Sequence, residues 1–148
     1  MTNNILLSIK GLQLDPNQEE NQIEVITAGE YYLKNGKHYI LYDEVLEGKD
    51  GIVKNIIKIS NSTLEITKRD ISNVHMVFEV NKKNLSFYDT PFGSMLVGIS
   101  TSDIMIDETD ENINIKVEYG LEINNEHLAD CIVHMNVKSK EAKDFTLT

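Results

Sequence analysis

The sequence is short of several residues, and each shortage narrows the possible functions. Its 148 residues include no tryptophan, two prolines, one cysteine and a single arginine, Arg69. One cysteine cannot form an internal disulfide, and Cys131 begins the apolar run Cys131-Ile132-Val133, which is typical of a buried, unreactive thiol. Arginine supplies the planar fork that binds phosphates and carboxylates at two points, so its scarcity argues against a phosphate-processing enzyme.

Basic residues are scarce as a group. Fourteen Lys and Arg face 24 Asp and Glu, which gives a net charge of −10. Nucleic acids and anionic membranes are bound by clusters of basic side chains, so we expect neither as a partner. The first apolar run, at 5–9, is too short for a signal peptide or a membrane span, and Lys10 ends it. With the lone thiol, this pattern predicts a cytoplasmic protein.

Alanine is also rare, whereas Ile, Val and Thr are abundant, and β-branched side chains favour strands over helices. Every second residue from Ile113 to Ile123 is apolar, and the residues between them are Asn, Lys, Glu or Gly. This period of two is typical of a strand with one buried face. The sequence therefore predicts an all-β protein.

Turn-forming residues divide the chain into about ten strands. We expect one domain over 1–138 and a short polar tail over 139–148. Closing the strands into an antiparallel up-and-down barrel of eight to ten strands would remove exposed edges, although a two-sheet sandwich has the same periodicity. The predicted strands are 3–12, 22–34, 37–46, 52–60, 63–69, 73–80, 85–89, 94–107, 112–123 and 127–138.

The strongest hairpin motif is Asn35-Gly36, because a type I′ turn needs positive φ at both central residues. Opposed residues share a face, and this face is the more apolar one in the first strand of the hairpin. The turn predicts three cross-strand pairs: Leu33 with His38, Tyr31 with Ile40, and Gly29 with Tyr42. The inward face would then include Ile23, Val25, Thr27, Gly29, Tyr31, Leu33, His38, Ile40, Tyr42 and Glu44.

Three further turns predict the other pairs. A two-residue Asn61-Ser62 turn sets Ile59 against Leu64, Ile57 against Ile66 and Lys58 against Glu65. A four-residue loop at 81–84 sets Val80 against Leu85 and Phe78 against Phe87. A three-residue loop at 124–126 sets Tyr119 against Cys131 and Val117 against Val133, whereas a two-residue loop would turn Asp130 and His134 inward.

Three stretches resemble the YwiB-like family of small bacterial proteins. They are the run 32–44 followed by Gly48, the turn Tyr88-Asp89-Thr90-Pro91-Phe92-Gly93, and the strand 115–121; the likeness extends over residues 3–138. The family is a domain of unknown function with a calycin-like, lipocalin-type β-barrel. The resemblance implies such a barrel in a cytoplasmic protein of Firmicute type, and it carries no catalytic motif. The Gly-x-Trp of true lipocalins is missing, because the chain has no tryptophan.

An inward face rich in aromatic residues suggests a ligand site. Glu44 is its most informative member, because a carboxylate among apolar side chains must be paired, hydrogen-bonded or protonated. One interpretation is a group that orients a ligand at the mouth of a cavity; the other is that Glu44 lies at a strand end and reaches solvent. The candidate ligand-binding residues are Tyr31, Tyr42, Glu44, Phe78, Phe87 and Tyr119.

Other chemistry finds little support in the sequence. His38, His75, His127 and His134 lack the local spacing of a metal site, and the acidic segment 103–111 lacks the glycine of a calcium loop. No residue is suited by its neighbours to act as a nucleophile with a base. We therefore expect no metal, no cofactor and no enzymatic activity.

Two functions remain open. The first is a barrel that binds a small apolar or amphipathic ligand in its interior. The alternative is a packed barrel that acts as a protein–protein interaction or structural module, either as a single chain or as a homodimer. Its contact surface would be the outward residues Tyr32, Tyr39 and Leu41.

Overall fold

A computed structural model describes residues 3–11, 24–45, 52–69, 74–90 and 93–140 of the chain. Ten strands form within these ranges, so the predicted number of strands is confirmed. They are β1 (Asn4–Lys10), β2 (Glu24–Lys34), β3 (Lys37–Val45), β4 (Ile52–Ser60), β5 (Thr63–Arg69), β6 (Val74–Glu79), β7 (Lys82–Thr90), β8 (Gly93–Glu108), β9 (Asn112–Ile123) and β10 (Glu126–Ser139). Within the described ranges, no helix is long and apolar enough to cross a membrane.

All ten strands belong to one antiparallel sheet, in the order β6-β5-β4-β3-β2-β1-β10-β9-β8-β7. Neighbours in space are neighbours in sequence, apart from the pairing of β1 with β10. The two edge strands meet, and the Ser86 hydroxyl on β7 donates a hydrogen bond of 2.8 Å to the His75 carbonyl on β6. The sheet is thus a nearly closed barrel, which confirms the all-β barrel and rules out the sandwich.

Two of the predicted hairpins have the expected register. Asn35 and Gly36 have φ values of 54° and 74°, as a type I′ turn requires, and Leu33 faces His38. In the β4–β5 hairpin, Ile59 faces Leu64 and Lys58 faces Glu65. Both confirmed turns place apolar side chains on the inner face of the sheet.

The β9–β10 hairpin reaches the predicted register by a different route. The turn has two residues, Asn124 and Asn125, both with positive φ, and not the predicted three. The register then shifts by one at Leu128, between the pairs His127–Glu122 and Ala129–Leu121. This bulge compensates for the shorter turn, so Cys131 still faces Tyr119 as predicted.

The prediction for β6 and β7 was wrong. A two-residue turn leads from β6 straight into β7, which begins at Lys82, and these strands form the two edges of the sheet. Because β7 pairs with β8, with Asn84 opposite Ile99, its face is set by β8. Phe87 therefore points outward and is 74% exposed, and it has no place in the interior.

Apolar side chains cover the inner face of the barrel. Two adjacent cross-strand rows run across β3, β4, β5 and β6, one from Ile40 to Met76 and the next from His38 to Phe78. With the exception of Val53, the buried apolar side chains pack into one continuous core cluster. The largest of the fully buried ones are Phe78, Ile5, Leu7, Ile40, Ile57, Ile59, Leu64, Ile66, Met76, Ile99, Ile113 and Leu121.

The margins of the barrel differ slightly from expectation. Leu33 shares the predicted face but lies at the end of β2 and is 63% exposed. Strand β10 continues to Ser139, which is buried opposite Ile5, so the last strand passes the predicted boundary at 138. Gly48 and the segment 141–148 lie outside the described residues.

Candidate ligand-binding site

The six candidate residues do not form one cavity. Phe78 and Tyr119 are buried in the core, where their rings pack edge to face with centroids 5.0 Å apart. This geometry is favourable for aromatic pairs, and it fills space that a ligand would need. With Phe87 on the outer surface, three of the six candidates do not line an interior cavity.

Tyr31 lies at the end of the barrel where β2 turns into β3. Its hydroxyl is 2.6 Å from His38 Nδ1, and His38 Nε2 is 3.4 Å from a carboxylate oxygen of Glu108. Strands β3 and β8 are five places apart in the ten-strand order and therefore belong to opposite walls. This chain of contacts, which we call the cross-barrel link, ties the two walls together.

The cross-barrel link has an electrostatic consequence. Burial, and then the charge of Glu108, raise the pKa of Tyr31 above its usual value, so the phenol keeps its proton to a higher pH than an exposed tyrosine. Beside it, Leu33, Glu108, Thr109 and Asp110 line a surface cleft of about 380 Å³. The sequence did not predict this contact, because Glu108 lies in an acidic segment that looked solvated and is remote from His38 in the chain.

At the other end of β3, four inward-facing residues form what we call the Glu44 cluster: Tyr42, Glu44, Asn55 and Lys68. Tyr42, Asn55 and Lys68 are cross-strand neighbours on β3, β4 and β5. Asn55 Nδ2 and Lys68 Nζ each donate a hydrogen bond of 3.3 Å to Glu44 Oε1. The Glu44 side chain is 31% exposed and that of Lys68 25%, so the cluster is accessible to solvent.

Asn55 is the buried member of the Glu44 cluster, at 1% exposure. Its Nδ2 also donates to the Val53 carbonyl at 3.3 Å. Its Oδ1 is buried and has no hydrogen-bond partner among the described residues. Rotating the amide would bring Oδ1 against two acceptors, Glu44 Oε1 and the Val53 oxygen, so these neighbours fix its orientation. An unsatisfied buried acceptor is costly, by about 1–3 kcal/mol.

Tyr42 adds a hydroxyl to the Glu44 cluster. Burial, and then the charge of Glu44, raise its pKa well above the usual value, which keeps the phenol protonated. Gly29 lies alongside, as the Asn35-Gly36 turn predicts: a Cβ there would come within 2.8 Å of the Leu41 carbonyl oxygen and 3.4 Å of Tyr42 Cβ. The cluster thus combines a carboxylate, an ammonium, a phenol and an amide.

Glu44 has the environment expected at a strand end, and its role in orienting a ligand stays a prediction. Its side chain is hydrogen-bonded within a polar cluster, and it also reaches solvent at a strand end. Asn55 and Lys68 were not among the candidates. The alternation in β4 held the relevant information, because Asn55 occupies a position between Val53 and Ile57 on the apolar face.

The described part of the chain contains neither a metal site nor a reactive thiol. No group of three or more His, Cys, Asp or Glu among the described residues could hold a metal ion. Cys131 is a buried thiol, and burial is the main reason that its pKa is raised, although a hydrogen bond with Tyr119 opposes the shift. A thiol with a raised pKa stays protonated and is a poor nucleophile at neutral pH.

The structure defines a nearly closed antiparallel β-barrel with a polar cluster at one end. A family model described as "Domain of unknown function (DUF1934)" matches residues 7–135. The "Uncharacterized beta-barrel protein YwiB" of Bacillus subtilis (strain 168) is 30% identical over 123 residues, which cover 82% of this chain and 84% of that protein. The crystal structure of the ywiB protein from Bacillus subtilis matches with a TM-score of 0.74 at 24% identity, covering 93% and 92% of the two chains.

The chain therefore belongs to the DUF1934 family, and the resemblance to the YwiB-like proteins is confirmed. The structural match supports the barrel fold. Membership assigns no activity, so function has to be argued from the residues of the barrel itself.

Proposed function

We propose that this protein is a non-enzymatic barrel that binds a small amphipathic molecule, with the polar part of the ligand at the Glu44 cluster. The observation that carries the proposal is the unsatisfied Oδ1 of Asn55, an acceptor in a residue only 1% exposed. Buried polar atoms are nearly always hydrogen-bonded, so this oxygen is the atom of the cluster to which a ligand would donate.

The packing of the barrel narrows where a ligand can bind. The apolar rows above the cluster belong to the continuous core of buried side chains, which disfavours the interior cavity expected from the sequence. The Glu44 cluster, in contrast, is polar and partly exposed through Glu44 and Lys68.

Native mass spectrometry of protein purified gently from its own host tests the proposal. We expect a bound small molecule on the wild type and on Asn114→Leu, a control on the exposed face of β9. Asn55→Leu removes the unsatisfied acceptor and should weaken binding about 10-fold, since losing one hydrogen bond costs about 1.4 kcal/mol, so its occupied fraction should be clearly lower. Wild-type protein without a ligand, or equal occupancy in Asn55→Leu, would contradict the proposal.

A second candidate function is a protein-binding module or homodimer. Phe87 and Leu85 on β7 are 74% and 56% exposed, which is unusual for neighbouring apolar side chains on one strand. We prefer this pair to the contact surface predicted from the sequence, because two residues of that surface already have partners. The Tyr32 hydroxyl is hydrogen-bonded to Glu30, and the Tyr39 ring lies under Lys58. Sedimentation of the wild type and Phe87→Ser at high concentration tests this role, and a monomer in both cases argues against a homodimer.

We also propose that the protein is cytoplasmic and binds neither nucleic acid nor membranes. The net charge of −10 and the single buried thiol support this assignment. Fractionation of host cells, followed by detection of the protein in the soluble and membrane fractions, provides the test.

A further inference from the structure

We propose that the Glu44 cluster selects an uncharged head group that donates a hydrogen bond, such as a hydroxyl or a primary amide. This inference rests on the proposed binding function and specifies its ligand chemistry. It follows from two properties of the cluster: the polarity of the unsatisfied atom and the balance of charge around it.

The unsatisfied atom is an acceptor. Val53 O and Glu44 Oε1 both take hydrogen bonds from Asn55 Nδ2, so the amide cannot turn its NH₂ group toward a ligand. Only a group with an N–H or O–H can satisfy Asn55 Oδ1. An ether, ester or other pure acceptor would leave it unsatisfied and would itself be desolvated without compensation.

The charges of the cluster are already balanced. The Glu44 carboxylate and the Lys68 ammonium form an ion pair at 3.3 Å. An ammonium head group would compete with Lys68, and a carboxylate head group would compete with Glu44. Either would leave one charge of the pair without its partner in a partly buried place, which is unfavourable. A hydroxyl or amide group avoids this, and its own oxygen can accept from Lys68 or Tyr42.

Ligands with the same small size and different head groups test the inference. The probes are n-hexanol, hexanamide, methyl pentyl ether, hexylammonium and hexanoate, of which the ether is an isomer of n-hexanol that cannot donate. Titrations followed through the backbone amide NMR resonances of Tyr42 and Lys68, the cross-strand neighbours of position 55 that every variant retains, give dissociation constants. We expect n-hexanol and hexanamide to bind about 10-fold tighter than the ether and the two charged probes, which corresponds to one hydrogen bond.

A single substitution should change this preference. Asn55→Asp places a second carboxylate beside Glu44, so hexylammonium should become the tightest-binding probe. Asn114→Asp, with the same charge change on the outer face, should keep the preference for n-hexanol. Asn55→Leu provides a variant without a new buried charge, and it should bind n-hexanol and the ether equally.

The outcomes separate the two proposals. If no probe binds the wild type, and protein from the host carries no ligand, the binding function is wrong. If the probes bind equally, or a charged probe binds best, binding at the cluster stands and the inference about its head group fails. If Asn55→Leu still prefers n-hexanol over the ether, Asn55 does not provide the selecting acceptor and the inference also fails.

Discussion

At the scale of single residues, the alternation of a strand gives neighbouring tyrosines opposite environments. Tyr31 and Tyr32 both form side-chain hydrogen bonds, at 2.6 Å to His38 and at 2.7 Å to Glu30. Tyr31 is 5% exposed and belongs to the cross-barrel link, whereas Tyr32 is 42% exposed on the outer face. Hydrogen bonds of similar length should therefore differ in their contribution to stability, because water replaces only the exposed one.

We expect Tyr31→Phe to lower the free energy of unfolding by about 1–2 kcal/mol, because His38 Nδ1 loses its partner in a largely buried position. Tyr32→Phe, the matched control, should change it by no more than about 0.5 kcal/mol. Urea denaturation of both variants at pH 7 gives the two values. Equal effects would show that the cross-barrel link contributes no more than a surface hydrogen bond.

The sequence predicted the placement of residues that lie close together in the chain better than contacts between residues that lie far apart in it. The sequence correctly placed Glu44 on the same face as Tyr42, because one hairpin turn determines which face both residues occupy. Glu108 and His38 meet across the barrel, and no local pattern encodes a contact between opposite walls. Asn55 could have been selected, since a polar residue at an apolar position of an alternating strand stands out from the pattern alone.

At the scale of elements, the β9–β10 hairpin combines two local preferences that conflict. Two successive asparagines favour a type I′ turn, because Asn tolerates positive φ. To keep the apolar residues of both strands on the inner face, β10 needs one residue more than the two-residue turn alone provides. The bulge at Leu128 accommodates both, and Leu128 itself is 45% exposed. The extra residue thus contributes little to the core.

Deletion of Leu128 should preserve the fold. It joins the pair His127–Glu122 directly to Ala129–Leu121, and every inward pair beyond the turn keeps its partner. Deletion of Ile132 is the control, because every β10 residue on one side of the deletion would then point to the opposite face of the sheet. Two-dimensional NMR should show a native-like pattern for the first deletion and loss of it for the second. A native-like spectrum for both would mean that register is not set by the apolar face.

At the scale of the whole molecule, the barrel closes through the backbone hydrogen bonds of the sheet and also through side-chain contacts, including one between its two edge strands. The first and last strands pair, and the sheet's two edges fall in the middle of the chain, at β6 and β7. Burial in the folded barrel raises the pKa of both Tyr42 and Tyr31 above the unfolded value. Their protonation therefore links the stability of the barrel to alkaline pH.

The sign of this linkage follows from the raised pKa values. An unfolded tyrosine loses its proton near pH 10, before the buried ones do, so the stabilisation is complete below pH 10 and is lost as the pH rises further. From there up to its pKa in the fold, each such phenol contributes a slope of about 1.4 kcal/mol per pH unit. We expect Tyr42→Phe to have a smaller slope by about this amount, measured by urea denaturation between pH 9 and pH 12.

Tyr39→Phe serves as the control for this experiment, because Tyr39 lies on the outer face against Lys58. Its stability should depend on pH as the wild type's does. If Tyr42→Phe also follows the wild-type curve, the Tyr42 phenol is not held protonated by the fold.

The sequence by itself determined the class of structure: the alternation of apolar residues specified the strands, and the Asn35-Gly36 and Asn61-Ser62 turns set their pairing. These are local properties, since a turn and the parity of its strands involve residues close in the chain. Only the tertiary structure decided that β6 and β7 are sheet edges, that Phe87 faces outward, and that His38 meets Glu108. It alone left Asn55 Oδ1 unsatisfied, because burial depends on which strands come together around the barrel.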